Sequence, residues 1–272
     1  MRYPRVLSIA GSDSGGGAGI QADLKTISAL GCYGTTAITA ITAQNTCGVT
    51  AIHAVPIDVL KAQIEAVLGD IGTDALKIGM LHSAEVVDVV AWAIRRFDIR
   101  QVVLDPVMVS ANGDPLITPD TVDVLVRELF PLASVVTPNL DEAALLLQRR
   151  LNDRAALEDA ARDLLKLGAR SVLLKGAHLA GEQIVDIFAP AQGEWLRMEG
   201  PRIASRNIHG SGCTLSSAIA AHLARGLSLP QAIGAGRDYT LKAIAAGAAV
   251  KTGQGQGPLN HGHAPVAMHL LD

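Results

Sequence analysis

Short apolar runs alternate with amphipathic stretches along most of this chain. The runs fall at Arg5–Ala10, Thr35–Thr42, Thr50–Val55, Ala75–Ile78, Gln101–Leu104, Ser134–Val136 and Ser171–Leu174. Several are apolar at successive positions rather than at every second one, the pattern of parallel strands covered on both faces. Between them, helical periodicity marks Ile20–Leu30, Ile57–Val67, Ala84–Phe97, Pro119–Leu129, Leu140–Leu147 and Asp153–Leu167. Strands alternating with helices predict an α/β fold, a parallel sheet with helices on both faces. Glu182–Phe188 and Glu194–Met198 predict a late antiparallel pair, followed by helices over Gly212–Arg225 and Pro230–Ala248. No linker, repeat or low-complexity block interrupts the pattern, so residues 1–272 are expected to form one domain. The glycine-rich "TGQGQGPLNHGHA" reads as a late loop.

Composition narrows the class. At 272 residues and 49% hydrophobic, the chain can bury a large core. A net charge of −3 with 3% aromatic residues gives no footprint for nucleic acid. Thr26–Ile57 holds no Asp, Glu, Lys or Arg and is long enough to span a bilayer. It is rich in Thr, Gly, Asn and Gln, however, and reads as buried strands and turns, so no membrane partner is expected. Cys32, Cys47 and Cys213 are odd in number and match no zinc spacing. The opening "MRYPRVLSIAG" has too short an apolar run for a signal peptide. Both features point to a reducing cytoplasm.

In open α/β sheets ligands bind beyond the carboxyl ends of the strands. Those ends carry the polar residues here. "GSDSGGGAG" follows the first strand; it fits neither G-x-x-x-x-G-K-[ST] nor G-x-G-x-x-G, but lets a backbone approach a ligand. Asp105 follows "QVVL", Asn139 and Glu142 follow "SVV", and Lys175 follows "SVLL". Asp105 is either a turn residue or a holder of Mg²⁺ near phosphates. Asn139 and Glu142 also fit a helix N-cap with its N3 acid. Asp23 falls within the apolar stripe Ile20, Leu24, Ile27, Leu30 and must find a partner, in the protein or on a ligand. Gln44 can donate and accept at once, as a heterocycle with an amino group beside a ring nitrogen requires. His261 and His263 read as loop residues, and His222 as a packing residue. In "HGSGCTLSS", Gly210 and Gly212 turn backbone N–H groups towards one point at a helix N-terminus, which attracts anions. A thiol there, Cys213, is expected to ionise more readily than a free one and to act as base or nucleophile. The other reading is a small buried hydrophobe.

These pieces, in this order, resemble the ribokinase-like small-molecule kinases, and more closely the hydroxymethylpyrimidine/phosphomethylpyrimidine kinases of thiamin biosynthesis. "IAGSDSGGGAGIQADLKT", "ALGCYGTTAITAITAQNTCGV", "KIGML", "VVLDPVM", "GDPL", "TPNLDEAALL", "LLKGAH" and "HGSGCTLSSAIAAHLA" carry the resemblance nearly end to end. It implies a three-layer α/β/α ribokinase-like fold with a central, mostly parallel sheet, and two successive phosphorylations of a small-molecule pyrimidine by ATP with Mg²⁺. It places Gly11, Ala18, Asp23, Gln44, Met80 and Val107 around the pyrimidine. Asp105 and Glu142 would organise the metal, and Asn139 and Lys175 the nucleotide. The amides of Gly210, Ser211, Gly212 and Cys213 would cradle the moving phosphoryl group. Cys213 occupies the position where sugar kinases of the superfamily usually carry an aspartate base. A homodimer is implied by the resemblance alone. Ser211 stands where threonine is common in the family, and Ala177 where glycine is usual. Two alternatives accompany this reading: a pyridoxal or pyridoxine kinase, favoured by relatives with the same cysteine, and a non-catalytic pyrimidine sensor. The uncharged region near Gln44 and the "VSANGDPL" segment are candidates for a closing loop.

Overall fold

The computed structural model describes residues 1–109, 117–151, 153–177, 179 and 181–272; most of "VSANGDPL" therefore lies outside the described residues. Among the described residues nine strands form one sheet in the order β3-β2-β1-β4-β5-β6-β7-β8-β9. They are β1 (Arg5–Asp13), β2 (Tyr33–Asn45), β3 (Gly48–Ala54), β4 (Ala75–Ile78), β5 (Val102–Leu104), β6 (Val135–Val136), β7 (Ser171–Leu174), β8 (Gln183–Pro190) and β9 (Leu196–Pro201). From β2 through β7 neighbours pair in parallel. The flanking β3, β8 and β9 pair antiparallel, as hairpin connections allow.

Both faces are covered. On one, α2 (Ile57–Asp70), α3 (Ala84–Arg96), α4 (Pro119–Leu129), α5 (Leu140–Leu147) and α6 (Leu157–Lys166) pack over Leu7, Ile9, Leu76, Ile78 and Leu104. On the other, α1 (Gly19–Ala29), α7 (Ser211–Ala224) and α8 (Leu229–Gly247) pack over Val6, Ala75, Val103, Val135 and Leu173. The period-two alternation is thus intact within each short strand, and both sets of positions are apolar because both faces are buried. The α/β/α layering is the one expected. Boundaries differ at β2, which runs on to include Gln44. The helix expected from Asp153 begins with a 3₁₀ turn over Arg154–Ala156. Among the described residues no helix is long and apolar enough to cross a membrane.

Candidate active site

The residues that follow the parallel strands converge on one cavity of about 1190 Å³. Gly11, Ala18, Gln44, Met80 and Val107 all line it. Gly11 and Met80 are in close packing: a Cβ on Gly11 would come 2.9 Å from Met80 Cε. Gln44 is fixed through its backbone, since Ser14 Oγ lies 2.6 Å from its carbonyl oxygen and 2.7 Å from its nitrogen.

Asp23, expected against the pyrimidine, has its partners within the protein. It is fully buried in α1 and does not line the cavity. Lys77 Nζ donates to both its carboxylate oxygens at 2.9 and 2.8 Å, Ser8 donates to Oδ2 at 2.6 Å, and Ser217 donates to Oδ1 at 2.7 Å. The partner that a buried carboxylate needs is supplied by the protein. Lys77 itself borders the cavity. It was legible in principle, as a lysine inside the otherwise apolar run "ALKI". Period-two alternation turns it, with Ala75, to the face covered by α1 and α7.

Asp105, at the end of β5, also borders the cavity and accepts from Lys175 Nζ at 2.9 Å and from Thr137 at 3.1 Å, both at Oδ1. Its Oδ2 has Ser216 at 3.4 Å. Asn139 and Glu142 form a complete capping box on α5: Asn139 Oδ1 accepts from the Glu142 N–H at 2.9 Å, and Glu142 Oε2 accepts from the Asn139 N–H at 2.8 Å. Both also line the cavity, so the capping and ligand readings coexist. Burial pushes the Glu142 carboxyl up to about 7; Lys175 opposes this and Asp105 reinforces it. Burial alone would loosen the proton on Lys175, but Asp105 and Glu142 outweigh it and hold the ammonium charged.

The first turn of α7 faces this pair. Gly210 precedes the helix at φ 82°, a conformation that favours glycine, and a Cβ there would collide with the Gly17 carbonyl. A Cβ on Gly212 would come 3.2 Å from Lys175 Nζ and 3.4 Å from Asp105 Oδ2, so the helix backbone lies directly against the charged pair. The Ser211 N–H turns back to the Ile208 carbonyl at 3.1 Å. The amides of Gly212 and Cys213 are the next in a turn that leaves its N–H groups without intrahelical acceptors.

Cys213 is half-buried and borders the cavity, and the effect expected of its helix N-terminus meets an opposing one. Burial pushes its thiol up to about 11, against the opposing pull of Lys77 and the Gly19 N–H; Asp23 and Asp105 push it the same way as burial. A helix N-terminus lowers a thiol pKa only when solvation of the thiolate survives, and here desolvation wins.

Sequence reasoning also passed over Asp13 and His209. Asp13, deeply buried at the end of β1, accepts from the N–H groups of Gly15, Gly17 and Ala18 at 2.8, 3.0 and 2.8 Å, and His209 Nε2 stands 3.0 Å from its Oδ2. His261, read as a loop residue, is buried with its ring 3.1 Å from Thr214 Oγ, and His222, read as a packing residue, is buried in α7. Among the described residues no three His, Cys, Asp or Glu side chains gather as a metal cage.

A family model described as phosphomethylpyrimidine kinase matches residues 13–260. The hydroxymethylpyrimidine/phosphomethylpyrimidine kinase of Rhizobium meliloti is 52% identical over 259 residues, which cover 94% of this chain and 96% of that protein. The crystal structure of phosphomethylpyrimidine kinase from Clostridium difficile superposes with a TM-score of 0.78 at 41% identity, covering 88% of this chain and 99% of that one. The pyridoxal kinase of Staphylococcus aureus, in complex with AMP-PCP and pyridoxal, superposes with a TM-score of 0.88 at 33% identity, covering 97% and 95%. With sequence and fold in agreement over nearly its whole length, the chain belongs to the phosphomethylpyrimidine kinase family.

Proposed function

We propose that the chain transfers a phosphoryl group from ATP to the hydroxymethyl oxygen of 4-amino-5-hydroxymethyl-2-methylpyrimidine, and then, from a second ATP, a phosphoryl group to the monophosphate. The observation that carries this reading is the contact of the α7 first turn with the Asp105–Lys175 pair across the cavity. Phosphoryl transfer asks for positioning and charge stabilisation rather than covalent chemistry. Helix amides and a fixed ammonium supply both at one place. Asn139 and Lys175 stand on the nucleotide side; Gly11, Ala18, Gln44, Met80 and Val107 border the pyrimidine.

Mg²⁺ fits the donor set. It binds through one or two carboxylates together with substrate phosphates and water, not through an all-protein cage. Asp105, whose Oδ2 has Ser216 Oγ no nearer than 3.4 Å, and the Glu142 carboxyl, whose neutral form burial favours, would hold it and gain from its charge. The ion would offset the charge of the phosphate oxygens. In its protonated form Cys213 cannot accept the hydroxyl proton, so a base role requires the thiolate.

We read the protein as cytoplasmic, on its three unpaired cysteines, and as a homodimer. Ile41, Val49 and Ile52 are exposed on the edge hairpin β2–β3, where an apolar edge favours pairing. The test is mass spectrometry of products from purified protein, MgATP and the aminopyrimidine, with pyridoxal in parallel. Monophosphate followed by pyrophosphate is expected. Pyridoxal phosphate alone would move the substrate to the pyridoxal class. No product from either would remove the kinase reading.

A further inference from the structure

His209 and Asp13 have no part in the reaction as derived above, yet they border the cavity beside Gln44. Their proton count settles what Gln44 offers a ligand. Burial would raise the Asp13 carboxyl, but the His209 bond and the Ala18 and Gly15 N–H groups outweigh it and hold it below its ordinary range, so Asp13, bonded by the Gly17 N–H as well, only accepts. His209 Nε2, 3.0 Å from Asp13 Oδ2, therefore carries a hydrogen and donates it. Gln44 Nε2 lies 3.3 Å from that same nitrogen, which sets two donors face to face. At the other end of the amide, Gln44 Oε1 lies 3.1 Å from Thr42 Oγ, while the single Thr42 hydroxyl proton is directed to the Ser12 carbonyl at 2.8 Å. Two acceptors therefore meet there. A half-turn of the amide, whose two ends are nearly alike in shape, gives Thr42 Oγ a donor and sets the Gln44 oxygen where it shares the His209 N–H with Asp13.

We propose that the Asp13–His209 pair is a specificity-determining device that turns the Gln44 carbonyl oxygen towards His209 and its amide nitrogen towards Thr42. Gln44 then shows a ligand one free lone pair on the His209 side and one free N–H on the Thr42 side. An exocyclic amine beside a ring nitrogen matches that order. On the proposed substrate the amino group lies between that nitrogen and the carbon bearing the hydroxymethyl group. Drawing the amine to the His209 side therefore carries the hydroxymethyl group towards Gly210–Cys213, which follow His209 directly. The opposite amide orientation would turn the hydroxymethyl group away. His209 is itself held in place: its N–H donates to the Gly257 carbonyl at 3.1 Å, and a Cβ on Gly17 would come 2.5 Å from its ring. His209 is a positioning residue, acting through Gln44, and the inference rests on the aminopyrimidine reading.

The test compares wild type, His209→Leu and His209→Asn on two compounds, the aminopyrimidine and its analogue lacking the 4-amino group, with thermal melts as a folding control. For His209→Leu the KM for the aminopyrimidine should rise about tenfold, roughly the worth of one oriented hydrogen bond to a polar partner. Its KM for the desamino analogue and for MgATP should change less than twofold. His209→Asn, which keeps an N–H donor, should recover part of the loss. An equal rise for both compounds, or no rise, with wild type active, overturns the His209 inference and leaves the kinase reading standing. If wild type phosphorylates neither compound, both fall.

Discussion

The fully buried Lys77–Asp23 pair gives a quantitative test by its removal. Both side chains are fully buried, and the ammonium bonds both carboxylate oxygens within 2.9 Å. Removing one member leaves a buried charge without its partner, which costs about 3–5 kcal/mol. At about 2–4 °C per kcal/mol for a domain of this size, Lys77→Met or Asp23→Asn should lower Tm by about 6–20 °C. The double variant Asp23→Asn/Lys77→Met removes both charges, so it should cost much less than the sum of the singles. The pH dependence has a definite sign. Despite burial, Asp23 holds the Lys77 pKa above its ordinary 10.5, so the pair's contribution is full below that value and lost only in stronger alkali. The assay is urea and thermal unfolding across pH, with kinetics below Tm. Because Asp23 does not line the cavity, the KM of Asp23→Asn for the pyrimidine should stay within about threefold of wild type, a change well under 1 kcal/mol. Single costs below about 1 kcal/mol that simply add in the double variant would refute the buried-pair account. A hundredfold rise in KM with unchanged stability would return Asp23 to the substrate.

Other tests address the remaining groups. Alkylation of Cys213 should be slow at neutral pH and should accelerate as pH rises towards about 11, read by mass spectrometry of the modified peptide. If Cys213 acts as base, Cys213→Ala should lose about 10²–10⁴ in kcat and Cys213→Asp should retain more; near-normal turnover in both removes the base role. Burial lowers the pKa of both His222 and His261 to about 4, with neighbouring cations adding to it, so the unfolded chain binds more protons than the folded one between there and 6.5. Thermal stability should fall as pH drops through that window, and His222→Leu should flatten the decline. Gly210→Ala meets both a left-handed φ of 82° and the Gly17 carbonyl; it should lose about 1–2 kcal/mol in backbone strain alone, seen as a lower Tm, together with most of the activity.

The sequence by itself determined the layering. Runs such as "SVLL" and the helical stripe of Ala84–Phe97 encode burial locally, because the period of apolar residues follows from strand and helix geometry alone. It also determined the edge of the sheet where chemistry gathers, since a parallel strand brings whatever follows it to that edge; Asp105, Asn139, Glu142 and Lys175 were legible for this reason. The capping box at Asn139 was equally local. Tertiary structure alone decided which charges meet. Lys77 lies 54 residues from Asp23, and His209 lies 196 from Asp13. No spacing rule joins residues so far apart, because neighbouring parallel strands are separated by whole helical crossovers. The same holds for the state of Cys213. Its sequence context supplies a helix N-terminus, which favours the thiolate. The packing of α7 against β4 and α1 leaves the thiol half-buried, which opposes the thiolate, and that desolvation exists only once distant segments have come together.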